Sequence, residues 1–250
     1  MGSNGISLRL IFKKAPFPAI MTILSFLFFI LIYMLVTMGV AEPYYLEGLI
    51  FAVPFISFGL ITLSTVKGKL KTLASFVLTL ILIIAFSGTS FFAFMHLLVD
   101  AATTTTTDID KYERILKMKG YPDNFWVEHF PDKIPENAEN IVFRYNPRFL
   151  QGGETFALKF KTDSGSIENY INKFYEKAKW TGTFSDNNPK ANGIFSNTFD
   201  KLGYKELPED FTIYVIYSEA YRPYNWNHGA FSLVAVSQQR NEIIFLEENW

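Results

Sequence analysis

Six residues in the second half of the chain have side chains suited to recognition: Arg144, Gln151, Glu154, Trp226, Asn227 and His228. Trp226 offers a flat apolar face beside an N–H donor, and Asn225-Trp226-Asn227-His228-Gly229 surrounds it with hydrogen-bonding groups. That combination suits a sugar, a peptide or a neighbouring protein. The simpler reading of the cluster is a strand connection pinned by a buried tryptophan. Gln151-Gly152-Gly153-Glu154 likewise reads first as a hairpin turn.

Acid–base chemistry would fall to Glu154, Asp210 or Glu219, because two carboxylates about 5 to 10 Å apart across a cleft are the equipment of a glycoside hydrolase. Metal chemistry has less to work with. His129 and His228 are the only histidines after residue 100, too few for a three-histidine site, and a mixed site with Glu154 or Asp210 competes with the ordinary reading of turn histidines as polar surface. The sequence contains no His-Glu-x-x-His, no Gly-x-Ser-x-Gly, no phosphate loop and no Gly-x-Gly-x-x-Gly. It contains no cysteine, which removes thiolate nucleophiles, thiolate zinc sites and iron–sulfur clusters. The expectation is therefore no metal, no cofactor and no assigned catalytic residue.

The elements that position these residues divide into two kinds. Phe17–Val40, Gly48–Val66 and Leu73–Val99 are apolar runs, each about long enough to cross a hydrocarbon layer of roughly 30 Å as a helix. The last, 27 residues, would span about 40 Å, so it either tilts or lays Phe91–Val99 along the surface. Pro54 and Ser87-Gly88-Thr89-Ser90 interrupt two of the runs and read as kinks or small-residue packing contacts. No Asp, Glu, Lys or Arg lies within a run, and His96 falls near an interface, which argues against an ion-coupled transporter.

Beyond Asp100 the pattern changes to that of an α+β domain. Thr103–Thr107 reads as a short linker, within a division into a three-span region at 1–100, a linker at 101–107 and an outer domain at 108–250. A helix is expected from about Thr107 to Gly120, and another over Ser164–Trp180, where Ile167, Ile171, Phe174 and Ala178 fall at helical spacing. Ile141–Tyr145, Phe156–Phe160, Phe211–Tyr217, Phe231–Val236 and Ile243–Leu246 have strand character, the last two joined by a tight hairpin at Gln239-Arg240-Asn241-Glu242. Residues 183–210 read as a long loop. Five strands and two helices predict a mainly antiparallel sheet with helices on one face.

Charge supplies orientation. Arg9, Lys13 and Lys14 precede the first run, Lys67, Lys69 and Lys71 separate the second from the third, and Ala41–Glu47 has no base. Short basic loops stay cytoplasmic, so three crossings leave the N-terminus inside and residues 101–250 outside. Gly39-Val40-Ala41 loosely fits a cleavage site, but the first run is longer than a signal core, and cleavage there would leave the tail on the same side. Ile6 replaces the Ser or Thr of a myristoylation pattern. From Asp100 onward, 22 acids against 17 bases give a net charge of −5, unsuited to nucleic acid. A cysteine-free outer domain suits a bacterial plasma membrane better than a disulfide-forming secretory route.

His129-Phe-Pro-Asp-Lys-Ile-Pro-Glu-Asn-Ala-Glu-Asn, Arg144, Phe149-Leu150-Gln151-Gly152-Gly153, Trp226-Asn227-His228-Gly229 and Arg240-Asn241-Glu242-Ile243-Ile244 together resemble a family of membrane- or lipid-anchored outer domains of Gram-positive bacteria. The resemblance covers residues 108–250 and departs in the anchor, which here has three runs in place of a simpler one. It implies location and a single outer domain, and it transfers no catalytic residue. Three classes of function follow: an envelope protein whose outer domain binds or senses a protein, peptide or glycan; an accessory subunit of a membrane complex; and a carboxylate-dependent envelope hydrolase. The lipid bilayer is a partner in all three.

Overall fold

In the computed structural model, residues 7–150, 152–186, 189–222 and 225–250 are described, the side chains of 189–194, 220–222 and 225–228 excepted. The chain divides into two compact units, Met1–Ala101 and Ala102–Trp250.

The first unit is helical. A short α1 (Leu8–Lys14) turns at Ala15 into α2 (Pro16–Met38), and a 3-10 turn (Glu47–Ala52) leads into α3 (Val53–Val66). Pro54 stands in the first turn of α3, where the span Glu47–Val66 changes from 3-10 to α-helix. The long α4 (Thr72–Thr103) runs unbroken through Ser87–Ser90, where Thr89 Oγ1 donates to the Ala85 carbonyl at 3.0 Å. Phe91–Val99 belongs to that same helix and is not a separate surface piece. Pro16–Met38, Glu47–Val66 and Thr72–Thr103 are long and apolar enough to cross a membrane. Ile32, Val36, Phe51 and Leu97 form the common core, and Tyr44 donates to Asp100 at 2.6 Å.

The second unit contains α5 (Tyr112–Met118), β1 (Glu139–Asn146), β2 (Glu154–Lys161), α6 (Ser164–Lys177), β3 (Trp180–Gly182), α7 (Pro189–Lys201), β4 (Thr212–Arg222), β5 (Asn225–Ser237) and β6 (Glu242–Asn249). All six strands are antiparallel, in the order β1-β2-β6-β5-β4-β3. The expected α+β class holds, with six strands where five were expected. The extra one, β3, is the end of the stretch expected to be helical: α6 stops at Lys177, and Trp180 pairs with Val215.

Helices cover both faces of the sheet, not one. On the first face Tyr112 of α5 stacks on Phe156 with ring centroids 5.8 Å apart, and Phe174 of α6 meets Phe245 at 6.0 Å. On the second face Phe195 of α7 packs on Phe231 at 5.0 Å and Phe199 on Phe211 at 6.4 Å. The helix α7 lies inside the segment expected to be a loop. Its Asn and Gly content hides the i, i+4 spacing of Phe195 and Phe199, and burial on the sheet overrides weak propensity. With both faces covered, β6 has no solvent side, and every residue from Glu242 to Glu248 is buried.

Helix α4 extends to Thr103, and buried Thr106 exchanges two 2.9 Å backbone hydrogen bonds with Tyr145 on the edge of β1.

Candidate functional site

Strand alternation decides which of the six recognition residues meet. Tyr145 pairs with Phe156, and Glu154 lies two residues along the same strand, so Glu154 and Tyr145 share the first face. Arg144 projects to the second. The sheet therefore separates Arg144 from Glu154. Gln151 lies outside the described residues, as do the side chains of Trp226, Asn227 and His228. The backbone of 226–228 is part of β5, not a connection between strands. The Gly152-Gly153 turn has a steric reason: a Cβ on Gly153 would come within 2.6 Å of the Asn249 carbonyl.

On the first face Glu154 belongs to a charge cluster that sequence reasoning missed. Helix α5 ends at Met118, and Gly120, at φ +84°, turns the chain so that Lys119 reaches over β2 and β6. Lys119 Nζ lies 2.5 Å from Glu154 Oε1 and 2.9 Å from Glu247 Oε2. One ammonium thus joins two carboxylates. Burial pushes the Glu247 carboxyl up to about 7, against the pull of Lys119 and with help from Glu154. Burial and the two glutamates also raise the Tyr145 hydroxyl.

Arg144 faces a second buried acid on the other side of the sheet. Glu248 accepts a 2.6 Å hydrogen bond from Thr198 Oγ1 of α7, and burial lifts its carboxyl to about 7, opposed by Thr198, Lys201, Thr155 and Arg144. The Arg144 Nε is buried without a hydrogen-bond partner. Consecutive residues of β6 thus hold one buried carboxyl on each face, a pattern intelligible only once both faces are known to be covered.

Glu248 yields a pH prediction. Its folded value of about 7 lies above the model-compound value of 4.5, so the stability it contributes is complete below pH 4.5 and is lost as pH rises through 7. Buried His129, held down to about 3 by desolvation, slopes the opposite way, losing stability as pH falls below the usual histidine range. Comparing single variants isolates each group. Glu248→Gln is expected to gain on the parent by up to about 3 kcal/mol as pH rises from 4.5 to 8. Urea titrations across that range check it, and a constant gap would contradict the assignment.

The other carboxylates are dispersed. Asp210 accepts two 2.7 Å hydrogen bonds from Arg240 and one of 2.5 Å from Ser237, beside the β5–β6 turn. Glu154 lies six residues from Phe160, the β2 residue in line with that end, so the two acids are separated by about 20 Å. Glu219 shares a row with Glu154 across three strand spacings, about 14 Å. Both backbone separations exceed the roughly 5 to 10 Å between the carboxyls of a hydrolytic pair. Glu247 is close enough to Glu154, but it is buried and an ammonium stands between them.

His129 is not a surface residue. It packs against Phe130 and Phe245, and backbone hydrogen bonds to Leu246 and Leu233 offset part of the desolvation that lowers its pKa. It lines a cleft of about 510 Å³ with Tyr121, Tyr170 and Lys173, and a second cavity, about 480 Å³, opens among α2, α3 and α4 beside Phe58 and Phe86. No group of three or more His, Asp or Glu residues arranged for a metal occurs among the described residues.

Fold and site together define a chain with three membrane-length apolar helices and an α+β unit that buries carboxyls on both faces of one sheet. No protein-family model, curated protein or solved structure matches it. The resemblance of residues 108–250 to anchored outer domains gains nothing from these comparisons.

Proposed function

We propose that the chain is a multi-pass protein of a bacterial plasma membrane, with a cytoplasmic N-terminus, that presents residues 102–250 outside for binding or sensing, without catalysis. The observation that carries this reading is the 3.1 Å hydrogen bond from Lys14 Nζ to the Val66 carbonyl. It brings the basic segment before α2 and the basic segment after α3 to the same end of one helical hairpin. Two positive loops on one side, with a base-free loop at the opposite end of the hairpin, match the charge asymmetry of cytoplasmic and outer loops. The non-catalytic part is supported by the wide separation of Glu154, Asp210 and Glu219 and by the ammonium between Glu154 and Glu247.

The absence of cysteine makes the orientation directly testable with single introduced thiols. Exposed Glu136, changed to Cys, is expected to react with a membrane-impermeant maleimide on intact cells, and Lys69→Cys only after lysis. The reverse pattern would place the α+β unit inside the cell.

A further inference from the structure

The long helix α4 rests on the α2–α3 hairpin near both of its ends. Near the start Ser75 and Thr79 are buried and Phe76 meets Phe17 at 4.8 Å. Near the other end Leu97 joins Ile32, Val36 and Phe51. Between those contacts lies the cavity of about 480 Å³, with walls from all three helices. Phe86 meets Phe58 edge-on at 5.9 Å, but Ser25, Ser87 and Ser90 also line the space, and their short side chains do not close it. The walls are otherwise apolar, Leu24, Phe28, Ile83 and Phe94 among them. Ser25 Oγ is used within its own helix, where it donates to the Met21 carbonyl at 2.6 Å.

We infer that this cavity is a binding site for one acyl chain of a phospholipid. The inference rests on the membrane reading above. Water is a poor occupant, because a site that holds it needs two to four polar partners and apolar cavities stay dry. A space of that size with nothing in it would deprive its walls of dispersion contacts on one side. An apolar cavity of about 150 Å³ accepts one benzene ring, so about three times that volume accepts a long hydrocarbon chain. Depth selects the chain over the headgroup: Ser87 stands near the midpoint of α4, more than about 20 Å from either helix end at 1.5 Å per residue. That is the level of lipid tails in a hydrocarbon layer of roughly 30 Å. A further helix has no free face to dock on there, since α2, α3 and α4 of the one chain already surround the site.

The test uses the full chain reconstituted in phosphatidylglycerol vesicles and then transferred to a large excess of mild detergent, which dilutes away loosely held lipid. Native mass spectrometry is expected to show one phospholipid retained per chain. Ser87→Phe and Ser90→Phe each put a ring into the space, and overpacking of that kind should lower the retained fraction about tenfold or more. Ile81→Phe, at a position on the same helix that is 57% exposed, should retain the lipid as the parent does. Helical circular dichroism checks that each variant is folded. A parent without retained lipid, or folded Ser87 and Ser90 variants that retain it as well as the parent, would overturn the proposal. Release of the chain from the vesicles by an alkaline wash would instead overturn the membrane reading, and this inference with it.

Discussion

Phe245→Ala is expected to lower the unfolding free energy of the α+β unit by about 3–5 kcal/mol, the range for a buried phenylalanine whose cavity cannot close. Phe245 stands on a central strand, with Phe130 at 5.7 Å, Tyr170 at 5.8 Å, Phe160 at 5.9 Å and Phe174 at 6.0 Å around its ring. Those neighbours come from the 126–130 segment, α6 and β2. Each is held by contacts of its own, and so relaxation into the gap is limited. Phe245→Leu keeps most of the volume and should cost less than about 2 kcal/mol. The measurement is convenient, because all four tryptophans, Trp126, Trp180, Trp226 and Trp250, lie beyond residue 101 and their fluorescence reports this unit alone. A loss below about 1 kcal/mol in denaturant titration of the full chain would mean that α6 and the 126–130 segment do not converge on Phe245.

Lys119→Met should be comparably damaging, but only at alkaline pH. The substitution keeps the aliphatic stem and leaves the Glu154 and Glu247 carboxylates facing each other without their shared counter-charge. Breaking a buried ion pair by removing one partner typically costs about 3–5 kcal/mol. Lys119 is what pulls the Glu247 value down, so its loss raises that value further above 7. A raised folded value means stability that is complete below the unfolded value and lost as pH rises through the folded one. The variant is therefore expected to be severely destabilised at pH 8 and substantially restored near pH 5, where Glu247 carries its own proton. Adding Glu247→Gln should remove most of the defect at pH 8. Equal losses at pH 5 and pH 8 would show that Lys119 acts through its packing over Phe156 and not through its charge.

The sequence was most legible where one physical demand acts along an uninterrupted stretch. A membrane requires some twenty consecutive apolar residues, and the three helices lie where the three runs indicated. The hairpin between β5 and β6 was legible for a local reason as well: Asn241 adopts the positive φ, 51°, that a tight turn requires. Elements decided by distant partners were not legible. Helix α7 owes its stability to Phe195 and Phe199 reaching the second face of the sheet, while its own sequence is rich in turn formers. The site was less legible still. Lys119 ends a different element from Glu154, and Glu247 and Glu248 fall just beyond Ile243–Leu246, where only the covering of both sheet faces accounts for their burial. Arg144 and Glu154 both belong to the first hairpin, and its pleat places them on opposite faces of the sheet.

The sheet order carries a consequence for assembly. The β1–β2 hairpin forms one side of the sheet and β5, β4 and β3 form the other, and β6, the last of the six strands to be synthesised, lies between them. Neither half can hydrogen-bond to the other until β6 arrives, so the order of synthesis and the order of the sheet are opposed. Such a topology is rich in contacts between distant parts of the chain, which slows folding. On the proposed orientation it also keeps the unit from closing while its chain is still being threaded across the membrane. The keystone comes last, after the rest of the sheet has been synthesised.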